Sequence, residues 1–221
     1  SDTPRPGNTK LKKLTPVDPN STNPYQLTEA DRTVIGNTTP KFSGGFGLNA
    51  TYKGFDMSMF FNFMYDFDVL NANKIMLTTW ADNKENNFLM DIASDKRWRN
   101  FDDMGNEIRY SPEVLAEFNK NATMWNPTSI GRPICMSYAV EDGSFLRLNS
   151  ATLGYTLPSV WTKKVGLSKV RFYVSGNNLF TLTGYSGYDP EVNIATGLTP
   201  NIDYNRYPRS RTYTFGAQLT F

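Results

Sequence analysis

Residues 211–221, RTYTFGAQLTF, decide the fold class, because apolar and polar side chains alternate in them to the last position. Successive side chains of a strand point to opposite faces, so this stretch predicts a strand with one apolar and one polar face. Two folds use such a strand. In a soluble sandwich the apolar face packs on a second sheet, whereas in an outer-membrane barrel it meets lipid and the polar face lines a wet lumen.

Four further stretches show the same alternation. They lie at residues 42–52, 55–67, 146–157 and 170–182. In the third stretch Leu146 and Leu148 are out of phase with Ala151, which predicts a β-bulge or a strand that leaves its apolar surroundings. The sequence therefore predicts an all-β chain of five strands.

The connections between these strands are either very short or very long. Lys53 and Gly54 form a two-residue hairpin turn, and residues 158–166 form a second short link. Short turns at one end and long loops at the other are typical of outer-membrane barrels, with the short turns in the periplasm. A soluble sandwich rarely contains a loop as long as residues 68–144, so the pattern favours a transmembrane antiparallel β-barrel with long extracellular loops.

This interpretation divides the chain into hairpins and loops. The segments are an extracellular loop at 1–40, a barrel hairpin at 41–67, a long extracellular loop at 68–144 with a short helix near 111–122, a second barrel hairpin at 145–182, an extracellular loop at 183–210 and a C-terminal barrel strand at 211–221. We then expect the N-terminus on the extracellular side and Phe221 at the periplasmic edge. Complete single-chain bacterial barrels have an even number of strands, at least about eight. We therefore expect the chain to be the C-terminal part of a larger barrel.

Composition excludes several classes of function. The chain has no histidine and a single cysteine, Cys135, which excludes Ser-His and Cys-His catalysis, His-ligated zinc and an internal disulfide. A net charge of +2 provides no basic field for nucleic acid. No apolar run is long enough for a membrane helix. We expect no enzymatic activity, no cofactor and no nucleic-acid partner.

Four blocks of the sequence resemble the C-terminal barrel region of the SusC/RagA family of TonB-dependent outer-membrane transporters. The blocks are DRTVIGNTTPKFSGGFGLNATYKGFDMSMFF at 31–61, EDGSFLRLNSATLGYTLP at 141–158, KVRFYVSGNNLFTLTGYSGYDPEVN at 169–193 and YPRSRTYTFGAQLTF at 207–221. The resemblance implies that the strands belong to a large, roughly 22-stranded barrel. The last strand also resembles the signal read by the outer-membrane insertion machinery, through Tyr213, Phe215, Leu219 and Phe221.

The resemblance further implies a place and a set of partners. The place is the outer membrane of a Gram-negative bacterium, where such proteins import oligosaccharides or oligopeptides. The implied partners are the remainder of the barrel and its plug, a SusD-like surface lipoprotein, TonB through an N-terminal part, the lipid bilayer and lipopolysaccharide. Two other functions stay open: a structural or partner-binding barrel segment, and a soluble sugar-binding β-sandwich.

Aromatic side chains in the predicted loops are the candidate contacts with substrate or partner. They are Trp80, Trp98 and Trp125 in the long loop and Tyr185 and Tyr188 in the last loop. Their rings could stack on sugars, but a loop of this length also needs a small core of its own. For the tryptophans we favour packing within the loop or against the lipoprotein.

The acidic and polar residues offer only a degraded metal site. Asp18, Asn20 and Glu29 match positions of a calcium-loop template, but Asn23 replaces the glycine of its sharp turn. We expect an ordinary polar loop and no metal there.

A further set of polar residues is predicted to face the lumen, where it would bond across the barrel wall or to the plug. This set comprises Asp56, Asp66, Arg171 and Asn177.

Overall fold

The computed structural model describes residues 6–9, 11–17, 20, 22, 26–79, 87–93, 95–129, 135–192 and 201–221. The chain divides into two compact units. We call the first, Ser1–Ile35 with Asn71–Ala139, the loop unit. The second, Gly36–Leu70 with Val140–Phe221, is the sheet unit.

Most strands of the chain lie in one antiparallel sheet. The strands are β1 (Phe42–Tyr52), β2 (Phe55–Tyr65), β3 (Asp68–Asn71), β4 (Val140–Asp142), β5 (Phe145–Thr156), β6 (Lys169–Thr183), β7 (Ile202–Asp203) and β8 (Thr212–Thr220). Five of them pair in the order β1-β2-β5-β6-β8, and every neighbouring pair is antiparallel. This sheet confirms the predicted all-β fold of five long strands.

A tight turn joins β1 to β2. Lys53 has a φ of 45° and Gly54 a φ of 88°, and two successive positive φ angles are the signature of a type I′ hairpin turn. A side chain at Gly54 would also meet the carbonyl oxygen of Thr156, which lies 2.8 Å from the position of a Cβ. Glycine is therefore required at this position by both conformation and space.

A β-bulge interrupts β5, as the out-of-phase leucines predicted. Phe60 pairs with Ser150, and the next residue of β2, Phe61, pairs with Leu148, so that Asn149 has no partner on β2. The extra residue shifts the alternation by one position. Leu146 and Leu148 therefore lie on the same face of the sheet as Ala151.

The two faces of the sheet differ in polarity across all five strands. One row of paired residues runs through Ala50, Met57, Leu153, Val174 and Phe215. The adjacent row, which points to the opposite face, runs through Asn49, Ser58, Thr152, Ser175 and Thr214. We call these two sides of the sheet the apolar face and the polar face.

The buried core of the sheet unit lies against the polar face, at the strand ends far from the short turns. Its cluster consists of Phe67, Val69, Phe145, Tyr185 and Val192, with Met64 packed against it. Met64 of β2 pairs with Phe145 of β5 on this face, and the rings of Phe67 and Phe145 meet edge to face at 6.4 Å. A small sheet in the order β4-β3-β7 supports the cluster.

Helices are short and lie outside the five-stranded sheet. The loop unit contains α1 (Ala72–Met76), α2 (Pro112–Phe118) and 3₁₀ turns at Glu29–Asp31, Met90–Ile92, Pro127–Ser129 and Ser137–Ala139. The sheet unit contains α3 (Ser159–Thr162) and a 3₁₀ turn at Lys163–Val165. Within the described residues, no helix has the length and apolar character needed to cross a membrane.

Proline starts α2 where the sequence predicts a helix. Pro112 occupies the first turn, where its missing N–H costs no hydrogen bond. The helix ends at Phe118, so it is shorter than the predicted stretch at 111–122.

Candidate functional site

The apolar face of the sheet presents large side chains to the surroundings. Phe215 is 80% exposed and Phe221 is 91% exposed. Phe46 and Phe61 stack across β1 and β2 with ring centroids 4.9 Å apart, and the apolar row continues across all five strands. Monomeric soluble proteins rarely expose contiguous apolar patches larger than a few hundred Å², so this face requires lipid or another protein layer.

Aromatic residues collect at the end of the sheet that contains the short turns. Phe55 and Tyr155 are paired across β2 and β5 with ring centroids 4.5 Å apart, and Tyr52 and Trp161 beside the turns are exposed. Tyrosine and tryptophan are enriched at the level of the lipid headgroups. The position of these rings is the one expected of an interfacial aromatic belt.

A charged pair spans the polar face near the same end. Arg171 of β6 donates from Nε and Nη2 to the two carboxylate oxygens of Asp56 of β2, at 2.9 and 2.5 Å. Both groups reach over Gly154 of β5, where a Cβ would lie 2.5 Å from Nη2 of Arg171 and 2.6 Å from Oδ1 of Asp56. Only glycine leaves room for this bidentate pair. Hydrogen bonding across the sheet, as the sequence predicts for Arg171 and Asp56, is confirmed.

The candidate tyrosines of the last loop differ in accessibility. Tyr185 is 6% exposed, belongs to the core cluster and donates a hydrogen bond to Oδ2 of Asp203 at 2.7 Å. Burial and the Asp203 carboxylate together raise the pKa of the Tyr185 hydroxyl. Because Tyr185 is buried, its role in the structure is packing. Tyr188 is 83% exposed and can contact a substrate or partner.

Trp98 and Trp125 contact other residues of the loop unit. Trp80 lies outside the described residues. Trp125 donates from Nε1 to the carbonyl oxygen of Thr78 at 3.0 Å and meets the ring of Tyr138 edge to face at 4.9 Å. Trp98 lies against Gly7, whose Cβ position is 2.3 Å from the indole Cδ1. These contacts favour packing within the loop unit. Trp98 and Trp125 also line a cleft of about 1470 Å³.

One carboxylate organises the N-terminal part of that cleft. Oδ1 of Asp31 accepts hydrogen bonds from the N–H groups of Leu14 and Thr15 and from the Thr15 hydroxyl, at 2.8–2.9 Å. Oδ2 accepts from the N–H of Thr28 at 2.9 Å. These bonds, with the backbone of Thr15 first, lower the pKa of Asp31. Asp31 therefore ties two separate stretches of the loop unit together.

The weak metal candidate gains no support from geometry. Asp18 lies outside the described residues, and Glu29 forms an ion pair with Arg32 at 2.9 Å. The portion of the chain that the structure describes contains no group of three or more acidic or cysteine side chains placed to hold a metal ion.

The terminal strand β8 presents its large apolar and aromatic side chains on one exposed face. Tyr213, Phe215 and Leu219 of β8 pair with residues of the apolar face of β6, and all three are exposed, as is Phe221. A signal that an insertion machine reads must be accessible before the strand is buried in lipid. Their role as an assembly signal stays a prediction.

Sequence reasoning missed two residues that the structure shows to be central. Arg147 is buried and bonds to acidic residues far along the chain. Asp31 bonds to two stretches that precede it, at Leu14 and Thr15 and at Thr28. Neither belongs to a short motif. The only signal for Arg147 was a charge inside an otherwise apolar run, FLRL, at residues 145–148.

Known proteins are similar to this chain in sequence and in fold, although no family model matches the chain. TonB-dependent receptor P3 of Formosa agariphila is 35% identical over 202 residues, which cover 89% of this chain and 18% of that protein. The TonB-dependent receptor SusC of Bacteroides thetaiotaomicron is 38% identical over 88 residues, or 38% of this chain and 8% of that protein. The chain is a relative of the SusC/RagA TonB-dependent receptors.

A solved structure supports the same relationship. The RagAB peptide importer in its closed-closed state matches 89% of this chain with a TM-score of 0.66 and 26% identity. That match covers 19% of the importer chain, so the present chain spans about a fifth of the length of its SusC/RagA relatives. None of these relatives is named as an enzyme, in agreement with the prediction from composition.

Proposed function

We propose that the chain forms five adjacent wall strands of an outer-membrane β-barrel, in a TonB-dependent importer of oligosaccharides or oligopeptides in a Gram-negative bacterium. The observation that supports this most strongly is the pair of adjacent rows that cross all five strands, one apolar and one polar. A barrel wall needs this arrangement, because each strand must face lipid on one side and the lumen on the other.

The charges of the long strands support the same assignment of faces. Asp56 and Arg171 are paired on the polar face, and the apolar row has only uncharged side chains. A charge on the lipid side costs about 2–4 kcal/mol at mid-depth. The sheet therefore places its charged pair where a barrel tolerates it.

The orientation follows from the connections. In the proposed barrel the short turns with their aromatic rings lie at the periplasmic interface. Residues 1–40, 68–144 and 183–210 then lie outside the cell, and the chain ends in the periplasmic edge. The strands would be the C-terminal part of the barrel.

The remaining parts of the importer belong to other segments and proteins. The match to about a fifth of the relatives' length supports a longer barrel, and the family resemblance implies a plug. In this proposal TonB acts through an N-terminal part, a SusD-like lipoprotein sits at the extracellular side, and lipid and lipopolysaccharide surround the apolar face. A peptide substrate has the support of the RagAB peptide importer, and an oligosaccharide that of the family resemblance.

Mass spectrometry of outer membranes extracted in detergent tests the proposal. Under native conditions we expect this sequence in a complex that contains a lipoprotein and has a mass several times that of 221 residues. Under denaturing conditions the mass of the polypeptide that carries the sequence shows whether the barrel is one chain or two. Recovery of the sequence from the soluble fraction as a free species of its own mass would contradict the proposal and favour a soluble sandwich.

A further inference from the structure

A buried cation joins the last loop to the polar face of the sheet. Arg147 is 1% exposed, although it belongs to a residue type that is almost never fully buried unless paired. It lies on β5 between Asn62 of β2 and Thr181 of β6, its partners in the sheet. Its guanidinium therefore points to the same side of the sheet as the buried core.

Two carboxylates of the loop neutralise this cation. Nη2 of Arg147 donates to Oδ1 of Asp189 at 2.5 Å, and Nη1 lies 3.2 Å from Oε2 of Glu191. Nε donates to Oγ1 of Thr181 at 3.1 Å. Both acidic side chains are largely buried, at 13% and 14% exposed. An ion group so removed from water holds its geometry because any separation leaves a buried charge without a partner.

Further bonds hold residues 185–192, which we call the clamped segment. Oδ1 of Asp189 also accepts from the N–H of Glu191 at 2.9 Å, and Arg209 donates to Oε1 of Glu191 at 2.6 Å. The N–H and hydroxyl of Ser186 donate to Glu141 at 2.9 and 2.8 Å. Tyr185 and Val192 at its two ends are core residues. The segment is thus bonded at its middle and packed at both ends.

The clamped segment nevertheless exposes one large ring. Tyr188 lies next to the buried Asp189 but is itself 83% exposed. A phenol ring offers an apolar face for stacking and a hydroxyl for hydrogen bonding at little entropic cost. Its backbone is fixed on the polar side of the sheet by the neighbouring carboxylate.

We infer that Arg147 is a positioning residue, which holds the clamped segment against the polar face so that Tyr188 contacts the oligopeptide or oligosaccharide being imported. The inference rests on the proposed function, because the polar face is the lumen side only in a barrel. In this arrangement Arg147 acts through Asp189 and Glu191 and does not itself touch the substrate. Tyr188 is the contact residue.

The first experiment measures the position of the clamped segment in the intact importer complex in lipid. Nitroxide labels on Tyr188→Cys and Ser175→Cys, in a Cys135→Ser background, report the distance from the segment to the polar face. We expect one narrow distance distribution with Arg147 present. The variant that combines Arg147→Met, Asp189→Asn and Glu191→Gln leaves no unpaired charge in the core, so it should fold while the distribution broadens. An equally narrow distribution in that variant would show that apolar packing and the bonds of Ser186 to Glu141 hold the segment without Arg147, and would overturn the inference.

The second experiment measures whether the position of the clamped segment affects uptake of the substrate. Two probes are used, a mixture of oligopeptides and a mixture of oligosaccharides, each labelled with the same fluorophore. For the transported probe, the triple variant and Tyr188→Ala should each raise the half-saturation concentration several-fold with little change in maximal rate. Combining them should add little, because both remove the same contact. Unchanged half-saturation in the triple variant, or fully additive effects, would contradict a positioning role.

Failure of the proposed function would look different. If the unaltered complex takes up neither probe, the importer assignment fails, while the nitroxide distances still report whether Arg147 holds the segment.

Discussion

Gly154 shows how a single residue decides a contact between three strands. The guanidinium of Arg171 and the carboxylate of Asp56 meet above it, and any side chain would enter the space they occupy. Glycine is required at residue 154 because the hydrogen bonds hold both charged groups in the space that a Cβ would occupy. The position therefore tests whether the pair contributes to stability.

We expect Gly154→Ala to destabilise the sheet by about 1–3 kcal/mol, the usual cost of inserting a methyl group into a filled site. The measurement is the thermal unfolding midpoint of the detergent-solubilised complex. Gly184→Ala is the matched control, because no atom lies within 4 Å of its Cβ position. Equal midpoints for the two variants would show that the pair moves aside at no cost.

Asp31 gives the loop unit a defined dependence on pH. Hydrogen bonds lower its pKa in the folded chain below the ordinary value of 3.8. A carboxyl with a lowered folded pKa stabilises the fold above its ordinary pKa, and this stabilisation is lost as the pH falls from there towards the folded pKa. The loop unit should therefore loosen below about pH 4.

Limited proteolysis with an acid-active protease measures this loosening. The unaltered protein should become more sensitive within residues 11–35 as the pH falls below 4, and Asp31→Asn should be sensitive at every pH. Glu29→Gln is the control, because its ion pair with Arg32 is exposed and such pairs contribute little. A pH profile of Asp31→Asn identical to that of the unaltered protein would refute the role of Asp31.

The five long strands could be predicted because alternation with a period of two is visible in each of them without knowledge of the rest. The bulge at Asn149 was also visible, as a break in phase at Leu148. The small sheet was not predicted, because β3, β4 and β7 have four, three and two residues and show no alternation.

Only those parts of the candidate site that depend on the alternation of residues along a single strand could be predicted from the sequence. The polar face, with Asp56 and Arg171 on it, follows from alternation. The partners of Arg147 do not, because Asp189 and Glu191 reach it through a loop whose path the sequence does not specify. The burial of Tyr185 depends on the same path.

The two faces of β2 can be compared with neighbouring residues of one strand. Met59 lies on the apolar face and Ser58 on the polar face, near the middle of the strand. We expect Met59→Lys to destabilise the membrane-embedded protein by about 2–4 kcal/mol and to lower its amount in the outer membrane. Ser58→Lys should be tolerated, because its charge reaches the wet side. Stability is measured by unfolding in urea in lipid vesicles, and equal losses for both variants would contradict the assignment of faces.

The two units of the chain are specified in different ways. In the proposed barrel the sheet unit meets lipid on one face and a polar lumen on the other, and this requirement produces the alternation that is visible in the sequence. The loop unit has no such constraint and is held by individual bonds such as those of Asp31 and Trp125. This difference explains why the five-stranded sheet was predicted from the sequence and the contacts within the loop unit were not.

In the proposed barrel the apolar face of the sheet meets lipid. The most direct test of this contact is the accessibility of nitroxides placed at Leu153 and Thr152, adjacent residues of the central strand β5 that lie in the apolar and polar rows. The complex carries Cys135→Ser and one label at a time, in lipid vesicles. We expect high collision rates with oxygen, which dissolves in the bilayer, for the label at residue 153, and low rates for the label at residue 152. Equal oxygen accessibility at both sites, or a label at residue 153 that collides mainly with a water-soluble nickel chelate, would contradict contact with lipid.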